Sequence, residues 1–419
     1  MSETKYFPTV EAIEKASQVL DEILEPTPFQ RNANLSDIYE AEIYLKREDL
    51  QMVRSYKIRG AFNKIRTLEP ELLHKGIVCA SAGNHAQGVA FSCNKLQIVG
   101  SIFMPTTTPK QKIEQVRMFG KEFIEIILTG DTFDAANSAA IEYAQETGKT
   151  FIPPFDDPKV MEGQGTIGKE ILNQTKVKLD YIFVPIGGGG LASGLGAYFK
   201  QMCPETKVIG VEPAGAPCMK AAIEAGETVR LEHIDKFVDG AAVQKAGSMT
   251  YEVCKDVLDD IVVVPEGAVC TTIIQMYNKS AIVVEPAGAL ASAALRFYAD
   301  KIKGKNVACV VSGSNNDITR MEEIREKSLL YEGLKHYFIV NFPQKSGEIL
   351  SFIRDVIGPS DDLVYIQYIK KTNKNFGPAL IGIELAAKED FAALTARMDK
   401  HGISYEYINE NNKLFEILI

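Results

Sequence analysis

Short apolar runs rich in valine and isoleucine alternate with amphipathic stretches between about residues 75 and 315. Each run is bounded by glycine or proline, and stretches such as 132–147 and 192–202 have helical spacing. Strands that alternate with helices predict βαβ units and a mostly parallel sheet covered on both faces. We therefore expect ligands at the carboxyl ends of the strands. The predicted strands are 76–80, 100–104, 123–128, 181–186, 208–211, 261–264 and 307–311.

The pattern changes near residue 322. Residues 322–334 are charged and lack a strand pattern, which indicates a helical linker. Residues 335–419 then read strand, helix, strand, strand, helix, strand, the order of a ferredoxin-like unit. A large α/β body, 1–321, with a small appended unit is typical of a catalyst that carries a regulatory module.

One uncharged stretch, 181–199, is long enough to suggest a membrane span. Pro185 and the four consecutive glycines that follow would break a helix there. The alternative is a buried strand, a glycine turn and a second helix, and we favour that interpretation. We expect no membrane association.

Composition narrows the class of protein. The 419 residues predict two or three domains, and a formal net charge of −9 argues against a nucleic-acid partner. Seven cysteines without a CxxC pair indicate reduced thiols in a cytoplasmic protein. The five histidines show no close pairing, so we expect no metal site. The first residues lack the apolar core of a signal peptide.

Two glycine-rich segments are candidates for phosphate binding. Residues 163–170, GQGTIGKE, resemble dinucleotide and Walker A motifs, but no strand precedes them and Glu170 stands where a hydroxyl is needed. We expect a structural loop that caps a helix. Residues 187–190 follow a predicted strand and precede a helix, so their backbone N–H groups could hold one phosphate monoester. A tight structural turn is the alternative.

Three further positions could carry chemistry. Lys57 lies in the compact run SYKIRGA, where desolvation could make it a neutral amine nucleophile, although a surface lysine is the alternative. The turn that ends in Asn84 and His85 could bind a carboxylate; Asn84 could equally cap the helix, and His85 is more typical of a helix start than of a base. Ser312 follows a strand and suits a ring heteroatom, or else lies in an ordinary loop.

An amine, a monophosphate cradle, a carboxylate turn and a polar ring contact together describe a pyridoxal phosphate site. At this point the chain resembles the threonine dehydratase family of fold-type II pyridoxal phosphate enzymes. The C-terminal unit resembles the single ACT-like regulatory domain of the short biosynthetic members, through 342–350 and its element order. The motifs that carry the main resemblance are SYKIRGA (55–61), SAGNHAQG (81–88), EGQGTIG (162–168), GGGGL (187–191), VDGAAV (238–243), VEPAGA (284–289) and SGSNN (312–316).

The resemblance implies a role for each candidate residue. Lys57 would bind the cofactor covalently and act as the catalytic base. Asn84 would bind the ring hydroxyl, and Ser312 would contact the ring nitrogen. The remaining implied contacts are Gly187, Gly188, Gly189, Gly190 and Leu191 for the phosphate, and Ser81, Ala82, Gly83, Asn84 and His85 for the substrate carboxylate.

The family also implies the reaction and its context. We expect a lyase, a threonine ammonia-lyase that converts L-threonine to 2-oxobutanoate and ammonia in isoleucine biosynthesis, as a homotetramer inhibited by isoleucine. The implied architecture has a catalytic domain at 1–321, with a smaller subdomain at about 50–150, and a regulatory domain at 335–419.

A catabolic serine/threonine dehydratase and a catalytically silent amino-acid sensor are alternative functions. Ala82 replaces the serine of related racemases, which argues against racemisation, and residues 216–218 make a cation site near Glu212 doubtful.

Overall fold

The computed structural model describes residues 5–369, 375–411 and 414–415. Its strands follow the predicted apolar runs closely, with additional strands near the start of the chain. The strands are β1 (Phe29–Arg31), β2 (Glu42–Arg47), β3 (Ile77–Ala80), β4 (Gly100–Met104), β5 (Ile124–Leu128), β6 (Thr150–Phe151), β7 (Tyr181–Pro185), β8 (Lys207–Pro213), β9 (Asp260–Val264), β10 (Asn306–Val311), β11 (Lys335–Pro343), β12 (Asp362–Tyr368), β13 (Phe376–Glu384) and β14 (Ser404–Tyr407).

Helices connect most of the parallel strands. Short 3-10 turns supplement them, including one at Glu48–Leu50. The helices are α1 (Val10–Leu20), α2 (Ala33–Tyr39), α3 (Lys57–Arg66), α4 (Pro70–Lys75), α5 (Asn84–Leu96), α6 (Lys110–Gly120), α7 (Phe133–Thr147), α8 (Pro158–Gln174), α9 (Gly190–Met202), α10 (Cys218–Ala225), α11 (Ser248–Val257), α12 (Glu266–Ser280), α13 (Pro286–Ala293), α14 (Ala299–Ile302), α15 (Met321–Tyr331), α16 (Glu348–Asp355) and α17 (Asp390–Lys400).

The first sheet has the order β1-β2-β10-β7-β8-β9. All neighbours in it are parallel except β1 and β2. The predicted parallel sheet is confirmed here, and β7, β8 and β10 are almost wholly buried because helices cover both faces. Since β2, β10 and β7 are neighbours that point the same way, the segments that follow them meet at one edge of the sheet.

A second parallel sheet, with the order β5-β4-β3-β6, lies between residues 77 and 151. Its central strands are fully buried, and α5 starts after β3. Together the two parallel sheets confirm the predicted fold class for this part of the chain. The subdomain limits of about 50–150 stay a prediction.

The glycines of residues 163–170 do not form the expected loop. They lie inside the long helix α8, so that prediction is wrong. The glycines serve close packing: a Cβ at Gly163 would come within 2.7 Å of the Arg59 carbonyl oxygen, and one at Gly165 within 2.9 Å of the Gly194 carbonyl oxygen. They therefore let α8 lie directly against α3 and α9.

The chain divides into two compact units, Met1–Asp317 and Ile318–Ile419. The second unit holds an antiparallel sheet with the order β12-β13-β11-β14, and α16 and α17 supply Phe352, Leu394 and Met398 to its core. This agrees with the predicted ferredoxin-like order. The predicted linker, 322–334, lies largely within α15. Of the predicted ranges, residues 1–4, 370–374, 412–413 and 416–419 lie outside the described residues.

The uncharged stretch 181–199 forms β7, a glycine turn and the first part of α9, as predicted. Within the described ranges, no helix combines the length and the apolar character needed to cross a membrane.

Candidate active site

Lys57 is the first residue of α3, at the edge where β2 and β10 end. Its Nζ donates a hydrogen bond to the Pro154 carbonyl oxygen at 2.9 Å. Burial lowers the pKa of Lys57 to about 8, although the Glu285 carboxylate acts in the opposite direction. About a tenth of the molecules therefore carry a neutral amine at pH 7, far more than for a lysine of ordinary pKa, and Lys57 is not a surface lysine.

The start of α3 is tied to the end of β10. Ser55 and Gly313 form an isolated antiparallel bridge, and the Tyr56 N–H donates to the Ser312 carbonyl oxygen at 3.1 Å. The Ser312 hydroxyl is buried and donates to the Ala287 carbonyl oxygen at 3.1 Å. Ser312 and Lys57 are thus neighbours through the backbone.

The glycine loop, residues 187–191, joins β7 to α9. Its carbonyl oxygens are occupied: the Thr250 hydroxyl donates to Gly188 at 2.6 Å, and the Ser193 N–H donates to Gly189 at 2.8 Å. Among the described residues, no acceptor pairs with the backbone N–H groups of 187–191. Five donors at a helix N-terminus suit an anion such as a phosphate monoester.

Side chains could not be added to this loop without displacing its neighbours. Gly189 has φ +95°, in the left-handed region that favours glycine. A Cβ at Gly188 would lie 2.3 Å from the ring of Phe155, and one at Gly190 would lie 3.0 Å from the Phe155 Cα. Bare backbone is therefore required on this surface, beyond what a simple turn needs.

The amine and the glycine loop meet at one short segment, 154–155. Lys57 bonds to Pro154, and Phe155 packs on Gly188 and Gly190. Because consecutive Cα atoms are about 3.8 Å apart, the amine and the anion cradle contact adjacent residues of one short segment. A cofactor with a reactive carbonyl and one phosphate fits this arrangement.

Asn84 is the first residue of α5, and its side chain does not cap the helix. Its Nδ2 donates to Glu285 Oε1 at 2.7 Å, and its Oδ1 accepts from Asn315 Nδ2. The capping alternative is therefore wrong. Glu285 is buried, and burial raises its pKa to about 8. The nearby Asp239 carboxylate acts in the same direction.

The predicted carboxylate turn, residues 81–85, lies between β3 and α5. The Gly83 N–H donates to Ser81 Oγ at 3.1 Å, while the N–H groups of Ala82, Asn84 and His85 have no acceptor among the described residues. The turn therefore has donors for a carboxylate. His85 Nε2 is paired with the Ile152 carbonyl oxygen at 2.9 Å, and burial lowers its pKa to about 3. A neutral, occupied imidazole agrees with the structural interpretation of His85.

Segment 238–243 contacts both the glycine loop and the residues around Asn84. A Cβ at Gly187 would lie 3.1 Å from the Ala241 Cα, and one at Gly240 would lie 3.5 Å from Glu285 Oε1 and 3.9 Å from Asn84 Nδ2. The VDGAAV motif thus packs against the glycine loop at one end and Asn84 at the other.

Sequence reasoning assigned no role to Glu285, Asn315 or Phe155. Glu285 and Asn315 lie in quoted motifs, and an acidic residue between apolar neighbours, as in VVEPAGA, is the signal that could have found Glu285. Phe155 gave no comparable signal.

The Glu212 carboxylate accepts hydrogen bonds from the backbone N–H groups of Met219 and Lys220. The described part of the chain holds no group of three or more potential metal ligands.

Comparisons with known proteins agree with this geometry. Residues 20–313 match the family model described as pyridoxal-phosphate dependent enzyme. Residues 326–418 match the model described as the C-terminal regulatory domain of threonine dehydratase.

Similar proteins and structures carry related names. A biosynthetic L-threonine dehydratase of Halalkalibacterium halodurans is 57% identical over 98% of this chain and 99% of its own length. The corresponding protein of Bacillus subtilis is 56% identical over 98% of this chain and 97% of its own length. The solved processed form of threonine deaminase isoform 2 from Solanum lycopersicum has a TM-score of 0.73 at 38% identity, covering 78% of this chain and 96% of that one.

Proposed function

Because the chain belongs to the threonine dehydratase family of pyridoxal-phosphate dependent enzymes, we propose that it converts L-threonine into 2-oxobutanoate and ammonia at the site around Lys57. The observation that carries the proposal is that Lys57 contacts Pro154 while the glycine loop, whose five N–H groups have no acceptor in the described part of the chain, contacts Phe155.

The residues present fit the cofactor. The glycine loop would hold its phosphate, Lys57 would bind its aldehyde carbon, Asn84 would donate to its ring hydroxyl, and Ser312 would face its ring nitrogen. When bound, pyridoxal phosphate supplies an electron sink for the charge left on the substrate α-carbon.

Lys57 moves the proton in this scheme. A buried amine with a pKa of about 8 is readily obtained in its neutral form, which is the form that accepts a proton. With pyridoxal phosphate bound, Lys57 Nζ would accept the proton from the substrate α-carbon. The β-hydroxyl would leave as water, and addition of one water would then release 2-oxobutanoate and ammonia.

The turn at 81–85 orients the substrate. Its free N–H groups would receive the α-carboxylate, since it lies at the N-terminus of α5, where a negative charge is stabilised. The carboxylate would then lie on the same side of the site as Asn84. L-Serine differs only by a methyl group at the β-carbon, so it would be an alternative substrate with the same contacts.

The second unit would regulate this reaction. Its match to a regulatory domain supports feedback by the pathway product isoleucine. The isoleucine effector, the homotetramer and the cytoplasmic location stay predictions.

Replacement of Lys57 tests the proposal. We expect Lys57→Ala to abolish steady-state ammonia release from threonine, because the covalent attachment and the base are lost together. The wild-type protein should show a visible absorption band with pyridoxal phosphate that borohydride abolishes, and the variant should not. Lys95→Ala, an exposed lysine on α5, serves as control and should keep both properties. Normal ammonia release by Lys57→Ala would contradict the proposal; a wild-type protein that binds no cofactor would instead indicate the sensor alternative.

A further inference from the structure

Three polar residues form a hydrogen-bonded group that we call the Asn84 clamp: Asn84, Glu285 and Asn315. Asn84 Nδ2 donates to Glu285 Oε1 at 2.7 Å. Asn315 Nδ2 donates to Asn84 Oδ1, and also to the Val53 carbonyl oxygen at 3.1 Å. The Glu285 backbone N–H donates to the Gly313 carbonyl oxygen at 3.2 Å, which ties Glu285 to the segment that carries Asn315.

The clamp fixes which way the Asn84 carboxamide faces. A carboxamide has two N–H donors and one acceptor oxygen. If Asn84 turned over by 180°, its NH2 would face the NH2 of Asn315, which is itself held by the Val53 carbonyl oxygen. That contact would be repulsive, so Asn315 favours the observed orientation of Asn84. One N–H of Nδ2 then remains for a ligand.

We propose that Glu285 and Asn315 are positioning residues that hold this remaining N–H of Asn84 towards the ring hydroxyl of the cofactor. The inference rests on the proposed function, because it assumes that pyridoxal phosphate occupies the site. Neither residue needs to touch the cofactor itself, since each acts through Asn84.

The surroundings of the clamp support this role. Glu285 is only 4% exposed, and a Cβ at Gly313 would lie 2.3 Å from its Oε1, so the backbone there leaves space for the carboxyl group alone. Hydrogen bonds at such a poorly solvated site are stronger than at the surface, and a buried donor or acceptor left without a partner destabilises the protein. Segment 238–243 contributes Asp239, whose carboxylate accepts from Lys112 Nζ at 2.6 Å and is thereby held in place. The carboxyl group thus has a fixed position and a fixed partner.

A double-mutant cycle separates positioning from an independent role. Full-length wild type, Asn84→Ala, Glu285→Ala and the double variant are stripped of cofactor and titrated with pyridoxal phosphate by fluorescence, and the position of the visible band is compared after reloading. We expect each single variant to bind the cofactor about 10-fold more weakly, since one oriented hydrogen bond is lost. Because Glu285 acts through Asn84, the double variant should be no weaker than Asn84→Ala.

Conservative variants provide the matched comparison. Glu285→Gln retains an acceptor oxygen and should restore most of the affinity. Asn315→Asp places an oxygen against Asn84 Oδ1 and should lose affinity more than Asn315→Ala. The control is Asn94→Ala on the same helix, whose Nδ2 donates to the Phe119 carbonyl oxygen at 3.0 Å and which should bind as the wild type does.

The outcomes are distinct. Losses that add in the double variant, or an unchanged dissociation constant and band in both Glu285→Ala and Asn315→Ala, would overturn the positioning role while the wild type still binds cofactor through Lys57. A wild type that binds no pyridoxal phosphate would overturn this inference together with the proposed function. Thermal melting identifies a variant that does not fold. If Glu285→Ala does not fold, the affinity of Asn315→Ala for the cofactor tests the positioning role instead.

Discussion

Lys57, His85 and Glu285 are buried ionisable residues, and each is shifted towards its neutral form. Burial lowers the pKa of the lysine to about 8 and that of the histidine to about 3, and raises that of the glutamate to about 8. The common cause is desolvation, which penalises every charged form regardless of its sign. The site is therefore a weakly solvated compartment that disfavours charged side chains of either sign.

Lys57 should be unusually reactive in the cofactor-free protein. Below its pKa of about 8 the amine is protonated and unreactive, and above it the neutral form dominates. We expect labelling of Lys57 by an amine-reactive reagent to rise between about pH 7 and 9, whereas exposed lysines respond only near their ordinary pKa of about 10.4. Mass spectrometry of the digested protein measures the labelling of Lys57 and of the exposed lysines in one sample. Parallel pH profiles for Lys57 and Lys95 would contradict the assignment.

Ser312 presents a neutral partner to the ring nitrogen in our proposal. An uncharged hydroxyl does not hold a proton on that nitrogen as a carboxylate would, which moderates the electron sink and favours elimination over transamination. Ser312→Asp should therefore increase side transamination, measured as accumulation of the aminated cofactor during turnover. Ser312→Ala, which removes the hydrogen bond without adding charge, is the control. An unchanged partition in Ser312→Asp would count against this role.

At the scale of elements, a buried ion cluster fixes α3 and hence Lys57. Arg59 forms two hydrogen bonds to Glu48, at 2.7 and 2.8 Å, and one to Glu170 in α8 at 2.6 Å. Lys46 at β2 completes the cluster by bonding to Glu170 at 2.5 Å. The cluster joins the 3-10 turn after β2, the first turns of α3 and the last turns of α8. The helix that carries Lys57 is thus bonded both to the 3-10 turn after β2 and to α8.

Arg59→Ala should destabilise the first unit strongly. It leaves Glu48, which is fully buried, without its main partner, and removing one member of a buried pair typically costs about 3–5 kcal/mol. Arg66→Ala breaks the half-exposed pair with Glu22 further along the same helix and should cost less than about 1 kcal/mol. Urea unfolding measures the free energy of unfolding of both variants. Similar losses for the two variants would show that the buried cluster does not hold α3.

At the scale of the whole molecule, two compact units divide the work that we propose. The first, Met1–Asp317, contains every candidate site residue, and the second matches a regulatory domain. Catalysis and regulation are therefore expected to be separable by truncation.

Deletion of residues 335–419 should leave threonine turnover but remove inhibition by isoleucine. The reason is that the proposed catalytic contacts all lie in the first unit, while the proposed effector site lies in the second. Ammonia release with and without isoleucine measures this, and a chain ending at Asp317 repeats the test without the helix α15. Inhibition that persists in both truncated chains would place the effector site in the first unit.

Much of this site followed from local sequence. The glycine run after an apolar strand, the lysine in a compact motif and the small polar turn after the strand at 307–311 are short-range patterns, and each lies where predicted. The exception is 163–170, whose glycines suggested a loop and form a helix. Glycine there serves contact between helices, and local spacing does not distinguish that use from a turn.

Neighbouring residues were enough to predict the alternation of strands and helices, the glycine run after an apolar strand and the motifs that relate the chain to a family, because these are local patterns. The contacts around these features arise from folding. Asn84 is oriented by partners 201 and 231 positions away, and Lys57 meets Pro154 across 97. The pKa values depend on the same packing, since desolvation arises from burial by distant elements and not from the residues next in the chain.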